Sequence, residues 1–337
     1  MQSDVTAVQS VKPRIYFLDV LKIMATFLVV YAHILWSKDS KVCLYVYAFH
    51  MPLFYIISGV FHKSNGRINL YNHFKKLFIP AVFFCFIFLL LTFVVDCFRL
   101  NSIIDAISTL EDGCKQTLIG FVLGKKMPNV VCWFLFSLFW CKLFADVYIV
   151  VFQKYRVLFL VFLVCLACIS SIPRYLYMKQ AFMCFPFYVL GYELKNYIKS
   201  LSFKWYYVVL IILFAFLCYT LSNLNGKVSV LGVNFGHLSK GVSVLCFYVN
   251  AIIGSVTLLL LSLLPYPQKD FISRSSAALL TTVGLQHFFN LQIRYYLPVN
   301  HHFLITVVAS VIIMLLCYFI HIILIKYIPF AIGAKRN

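Results

Sequence analysis

The sequence is poor in charge. Only 12% of its 337 residues are Asp, Glu, Lys or Arg, and just 10 are acidic. A water-soluble domain of this length needs more charge to cover its surface. There is no connecting stretch with the look of a folded soluble domain, no low-complexity segment and no convincing internal repeat. The period-two alternation of a membrane β-barrel is also missing, which leaves helices as the only elements that satisfy their own backbone groups in lipid. The first apolar run begins near Phe17, carries no small-residue cleavage pattern and is closely followed by others. It is expected to be a retained span and not a removable leader.

What the chain does have is apolar surface. Residues of hydrophobic type make up 63% of it, gathered in runs near the 20 or so residues that cross a bilayer. The runs predict an all-α, polytopic transmembrane helical bundle of about ten spans: 15–36, 44–62, 77–95, 130–152, 157–172, 180–195, 205–221, 242–264, 278–294 and 303–328. The sixth and ninth are short or polar. The expected organisation is a tail over 1–14, a bundle domain over 15–328 and a second tail over 329–337.

The formal net charge is +19. Its lysines and arginines punctuate the apolar runs, as in loops flanking membrane helices, and do not gather in one arm or face; nucleic acid is not an expected partner. With an even number of spans both termini share a side. Lys12, Arg14, Lys63, Arg67, Lys75, Lys76, Lys154, Arg156, Lys195, Lys199, Lys204, Lys269, Arg274, Lys326, Lys335 and Arg336 fall on that side. The longer loops 96–129 and 222–241 on the other side hold fewer, and 96–129 adds Asp96, Asp105, Glu111 and Asp112. Both termini are therefore expected in the cytoplasm, with the bundle in the inner (plasma) membrane.

Twelve cysteines are present, but Cys85, Cys165, Cys168, Cys218, Cys246 and Cys317 lie inside apolar runs, where a thiol behaves as a small hydrophobe. Cys165 and Cys168 have CxxC spacing without a second ligand pair, so no metal site is expected.

The first span carries Asp19, Lys22, Thr26 and His33 at helical spacing on one face. From Lys22 to His33 the rise is roughly 16 Å, about three turns with little net rotation. Asp19 and Lys22 can neutralise each other near an interface, with Lys22 snorkelling. His33 on the same stripe adds a group suited to proton transfer near neutral pH. In the second span, Pro52 breaks a backbone hydrogen bond and invites a kink, while Ser58 and Gly59 permit close helix approach. His50 can face the same cavity as His33. His73, Lys75 and Lys76 precede the third span; the two lysines suit either an ordinary cytoplasmic anchor or a clamp for phosphates, and spacing does not separate these.

These residues resemble the acyltransferase-3 family of membrane acyltransferases, which O-acylate cell-surface glycans. The resemblance begins with Lys22-x10-His33 preceded by Leu18-Asp19, where the family often has Arg in the basic position. It continues through Phe49-His50-Met51-Pro52-Leu53-Phe54 with Ser58-Gly59, then Lys76-Leu77-Phe78-Ile79-Pro80, again with Lys in place of Arg. Trp133-Phe134-Leu135 with Leu138-Phe139, Phe187-Tyr188-Val189-Leu190-Gly191-Tyr192 and Gln286-His287 follow in order. The soluble hydrolase-like domain of some relatives is not expected.

The resemblance implies transfer of an acyl group, usually acetyl, from acyl-CoA to a sugar hydroxyl of a surface or exported polysaccharide. His33 would be the general base, with Asp19 and Lys22 completing the catalytic stripe. Lys75, Lys76 and His73 would bind the donor; His50, Ser58, Trp133, Tyr192, Glu193 and His287 are candidates for the cavity and acceptor. No bound cofactor is implied, since acetyl-CoA is a substrate. The partners are the lipid bilayer, acyl-CoA and the glycan, and a homodimer is compatible. Two other readings compete. A proton-coupled transporter or flippase would use Asp19, Lys22 and His33 for coupling, but there is no clear repeat and few spans hold carboxylates (Asp19, Asp146 and Glu193). A haem-bearing carrier would need paired histidines on one helix, which His33, His50, His287 and His321 do not supply.

Overall fold

The computed structural model describes residues 15–35, 40–267, 269–296 and 303–334. The tail 1–14, with Lys12 and Arg14, the end of the first predicted span at Trp36, and Lys335 and Arg336 lie outside them.

The described chain is all-helical apart from a single antiparallel bridge between Ser229 and Asn234. Its main helices are α1 (Tyr16–Leu35), α2 (Lys41–Val60), α3 (Leu70–Arg99), α4 (Ile103–Leu123), α5 (Val130–Val150), α6 (Arg156–Cys168), α7 (Met178–Glu193), α8 (Tyr207–Asn225), α9 (Lys240–Ser262), α10 (Lys269–Ala277), α11 (Leu279–Tyr296) and α12 (Phe303–Tyr327). Among the described residues seven helices are long and apolar enough to cross a membrane: α1, α2, α3, α5, α8, α9 and α12. The predicted spans at 157–172, 180–195 and 278–294 also form helices, α6, α7 and α11, which are shorter or more polar.

The interior is a continuous apolar core, and the outer faces of several helices are apolar as well. Val82, Phe86, Leu90 and Val94 form an exposed apolar row along α3, and Val308, Ile312 and Phe319 do the same on α12. Within the core some polar side chains are buried too: Thr281, Thr282, Gln286, His287 and Asn290 on α11, and Asp19 and Thr26 on α1. Apolar faces that meet lipid and polar groups that meet each other satisfy both solvents.

Close packing between α2 and α7 rests on two reciprocal glycines. A Cβ on Gly59 would strike the Tyr188 carbonyl, and one on Gly191 would strike the Ile56 carbonyl. The helices thus touch backbone to backbone, the close approach expected of Gly59. Pro52 is accommodated inside α2, which stays helical from Lys41 to Val60.

Two local features differ from the sequence reading. The stretch 96–129, read as a connection, contains the helix α4. Its start is capped by Ser102, whose hydroxyl accepts from the Asp105 amide at 3.3 Å, and it ends at Gly124 in the left-handed region (φ 60°). Second, α3 begins with a turn of α-helix and then a π-helical turn, Phe74–Phe78, just before Pro80. Proline has no amide hydrogen and crowds the carbonyl four residues back, which here belongs to Lys76. The wider turn relieves that conflict, and such turns are frequent at functional sites.

Candidate functional site

The polar stripe of α1 joins two different sites. At the end of the bundle where α1 begins, Asp19 is buried and takes a hydrogen bond from Lys22 at 3.3 Å. It also accepts from the Ser276 hydroxyl of α10 at 2.7 Å. The Lys22 ammonium lies 4.3 Å from the centre of the Phe61 ring. The carboxylate and the aromatic face together fix where that ammonium sits. Thr26 lies wholly buried one turn further on, and its hydroxyl has no hydrogen-bond partner among the described residues.

Beyond Thr26 the stripe reaches a cavity of about 210 Å³. His33 opens into it, together with His50 and Tyr47 of α2, Trp133 of α5, Gln286 of α11 and Lys227 from the connection between α8 and α9. His50 is buried, and its Nδ1 donates to the Val46 carbonyl at 2.8 Å. A carbonyl can only accept, so the proton belongs to Nδ1 and the neutral ring carries its lone pair on Nε2. The His33 and His50 rings both make edge contacts with Tyr47, at 6.3 and 5.0 Å between centroids. One cavity therefore holds two imidazoles, an amide and an ammonium within apolar walls, a composition suited to binding and deprotonating a hydroxyl compound.

A second cluster gathers around His62, the residue after Phe61. The buried carboxylate of Asp146 on α5 accepts from His73 Nε2 at 2.9 Å and from the Asn69 amide at 2.8 Å. His62 Nε2 stands 3.3 Å from its other oxygen. His62 Nδ1 meets the Tyr188 hydroxyl at 2.8 Å. Asp146 thus staples the connection between α2 and α3 onto α5, and the connection leads directly into the π turn. Lys75 and Lys76 are exposed on that turn. The short C-terminal turn Pro329–Ile332 backs it: Gly333, at φ 65°, lies against the Lys76 backbone.

Of the sequence candidates, His33, His50 and Trp133 share the cavity, while Lys22 stands about three turns and Asp19 about four turns from His33 along α1. His73, Lys75 and Lys76 belong to the stapled turn. His287 lies beside the cavity residue Gln286 but stacks on Phe88, 5.6 Å between centroids and 17° from parallel. Ser58 is half-buried on α2 outside the cavity lining. Tyr192 and Glu193 are at the opposite end from the cavity: Tyr192 packs its edge on His62 at 5.5 Å, and Glu193 is held by Arg156 at 3.2 Å and Tyr148 at 3.0 Å. The sequence reading did not single out His62, Tyr47, Lys227 or Asn290, and it noted Asp146 only as a carboxylate within a span. The stripe Thr282, Gln286 and Asn290, at four-residue spacing on α11, was the available signal for the buried polar face opposite α1. No group of three His, Cys, Asp or Glu among the described residues has the geometry of a metal site.

A family model described as an acyltransferase domain matches residues 15–250. No curated protein and no solved structure matches the chain.

Proposed function

The chain belongs to the acyltransferase-3 family, and on that premise we propose that it is a ten-span membrane O-acyltransferase using acyl-CoA, with acetyl as the acyl group and a sugar hydroxyl of a surface or exported polysaccharide as acceptor. The observation that carries this reading is the single α1 face that joins the Asp19–Lys22 pair to His33 in a cavity. The end of the bundle with Lys63, Arg67, Lys75, Lys76, Lys154, Arg156, Lys195, Lys199 and Lys204 is cytoplasmic by its excess of cations. Both termini then lie in the cytoplasm and the His33 cavity faces outward from the inner membrane.

The donor enters from the cytoplasmic end. Lys75 and Lys76, on a turn held by Asp146, bind its phosphates as charge-assisted partners. The thioester arm extends along the α1 stripe past Lys22, which the Asp19 carboxylate and the Phe61 ring hold in place. In the cavity His33, in its neutral form, removes the proton from the acceptor hydroxyl as the oxygen attacks the thioester carbonyl. The C–S bond breaks, the acyl group ends on the sugar oxygen, and the leaving sulfur takes the proton from His33. His50, with its proton committed to Val46, offers Nε2 as a further hydrogen-bond acceptor for the sugar.

Reconstituted protein given labelled acetyl-CoA and an extracted surface glycan should release CoA thiol in step with label appearing on the glycan. Accumulation of glycan across the vesicle membrane without acyl transfer would favour the transporter reading instead.

A further inference from the structure

The cavity around His33 is cationic on one side. Lys227 forms part of its wall, and its side chain is exposed. Arg294 lies in the last turn of α11, the helix that also carries the lining residue Gln286. No described Asp or Glu lines the cavity. Of the described carboxylates in 96–129, Asp96 accepts from Thr109, Glu111 and Asp112 pair with Lys115, and Asp105 is exposed on α4.

The placement of Lys227 is built into the fold. The segment between α8 and α9 that carries it closes with reciprocal hydrogen bonds between Ser229 and Asn234, at 2.9 and 2.8 Å. Gln180 of α7 donates to the Leu231 carbonyl at 2.8 Å, and Arg174 donates to the Gly232 carbonyl at 3.0 Å. At its base Asn225 donates to the Phe235 carbonyl at 2.7 Å. This ordered strap sets one cation at the cavity wall. Gln286 also lines the cavity; it is 1% exposed, and its Oε1 has no hydrogen-bond partner among the described residues. A buried amide oxygen without a donor costs free energy until a ligand hydroxyl or amide fills it.

We propose that this cavity is the acceptor subsite for an acidic sugar, whose carboxylate or phosphate is held by Lys227, while Gln286 takes a hydroxyl and leaves another in front of His33. The assignment rests on the acyltransferase reading and names the class of acceptor: a glycan bearing a uronic-type carboxylate or a phosphodiester. A neutral sugar would leave the ammonium without a partner. An acidic one gains a charge-assisted hydrogen bond that also fixes its orientation.

The test measures equilibrium binding to the purified full-length protein without donor. Three labelled probes are compared: a tetrasaccharide of alternating glucuronic acid and N-acetylglucosamine, its carboxyl-reduced neutral derivative, and a glycerol-phosphate-linked oligosaccharide. The expected result is that one acidic probe binds about tenfold or more tightly than the neutral probe, the gain typical of one hydrogen bond to a charged group. Lys227→Gln should erase that preference, and Lys227→Arg should keep most of it. Which acidic probe binds decides between carboxylate and phosphate. Equal binding of neutral and acidic probes, a preference that survives Lys227→Gln, or no binding of either acidic probe would overturn the assignment. CoA release on the same preparation reports separately on acyl transfer, so the two readings fail independently.

Discussion

The imidazole of His73 and the carboxylate of Asp146 meet at 2.9 Å across 73 positions of sequence. That contact, with the Asn69 amide on the same carboxylate oxygen, fixes the turn that presents Lys75 and Lys76. Asp146→Ala should strand two buried imidazoles and one amide. The expected cost is about 3 kcal/mol of stability, with a weaker response to donor concentration. Thermal unfolding in detergent and the KM for acyl-CoA check it. Unchanged values for both would show that the staple does not position the turn.

Lys75→Gln with Lys76→Gln should raise the KM for acyl-CoA by about tenfold or more while leaving acceptor binding unaltered, since each cation supplies a charge-assisted contact to phosphate. The wild-type KM should rise with salt more steeply than that of the double variant, because screening acts on the lost contacts. Identical salt profiles would argue for lysines that serve only as membrane anchors.

Lys22→Gln should reduce acyl transfer at least tenfold through lost donor placement. Lys22→Arg should retain more activity, since it keeps the charge beside Asp19 and over the Phe61 ring. Measuring kcat and KM for both variants tests this; equal impairment of the two would point to a role specific to the ammonium.

Gly59→Val should lower the stability of the bundle by about 2 kcal/mol or prevent assembly, because the new side chain meets the Tyr188 backbone and not a movable side chain. Yield and unfolding temperature relative to wild type are the measurements. A fully stable variant would contradict the close α2–α7 crossing.

The part of this architecture that sequence reveals is the part written at short range. The α1 stripe is legible because a helix repeats every 3.6 residues, so Asp19, Lys22, Thr26 and His33 share a face wherever the helix packs. Gly59 and Gly191 are visible as small residues, but their reciprocity depends on how α2 crosses α7. The Asp146 cluster is invisible in sequence for a physical reason. Its members come from α3, α5, α7 and the connection after α2, and only tertiary packing brings positions 62, 73, 146 and 188 together. Tyr192 ends a family-like motif and Glu193 follows it, yet both lie at the end opposite the cavity, since α7 runs away from it toward Arg156 and His62. Helix α4 escaped notice because its charges, Asp105, Glu111, Asp112 and Lys115, interrupt the apolar pattern, although Ser102 and Gly124 mark both of its ends.

The central claim is that His33 removes the acceptor proton in acyl transfer. It is tested most directly by CoA release and glycan labelling in proteoliposomes containing the wild type or His33→Ala at matched protein content. The account predicts a loss of about 10²-fold or more in the turnover of His33→Ala, with an unfolding temperature close to that of the wild type. Glycan acylation by His33→Ala at the wild-type rate would contradict it.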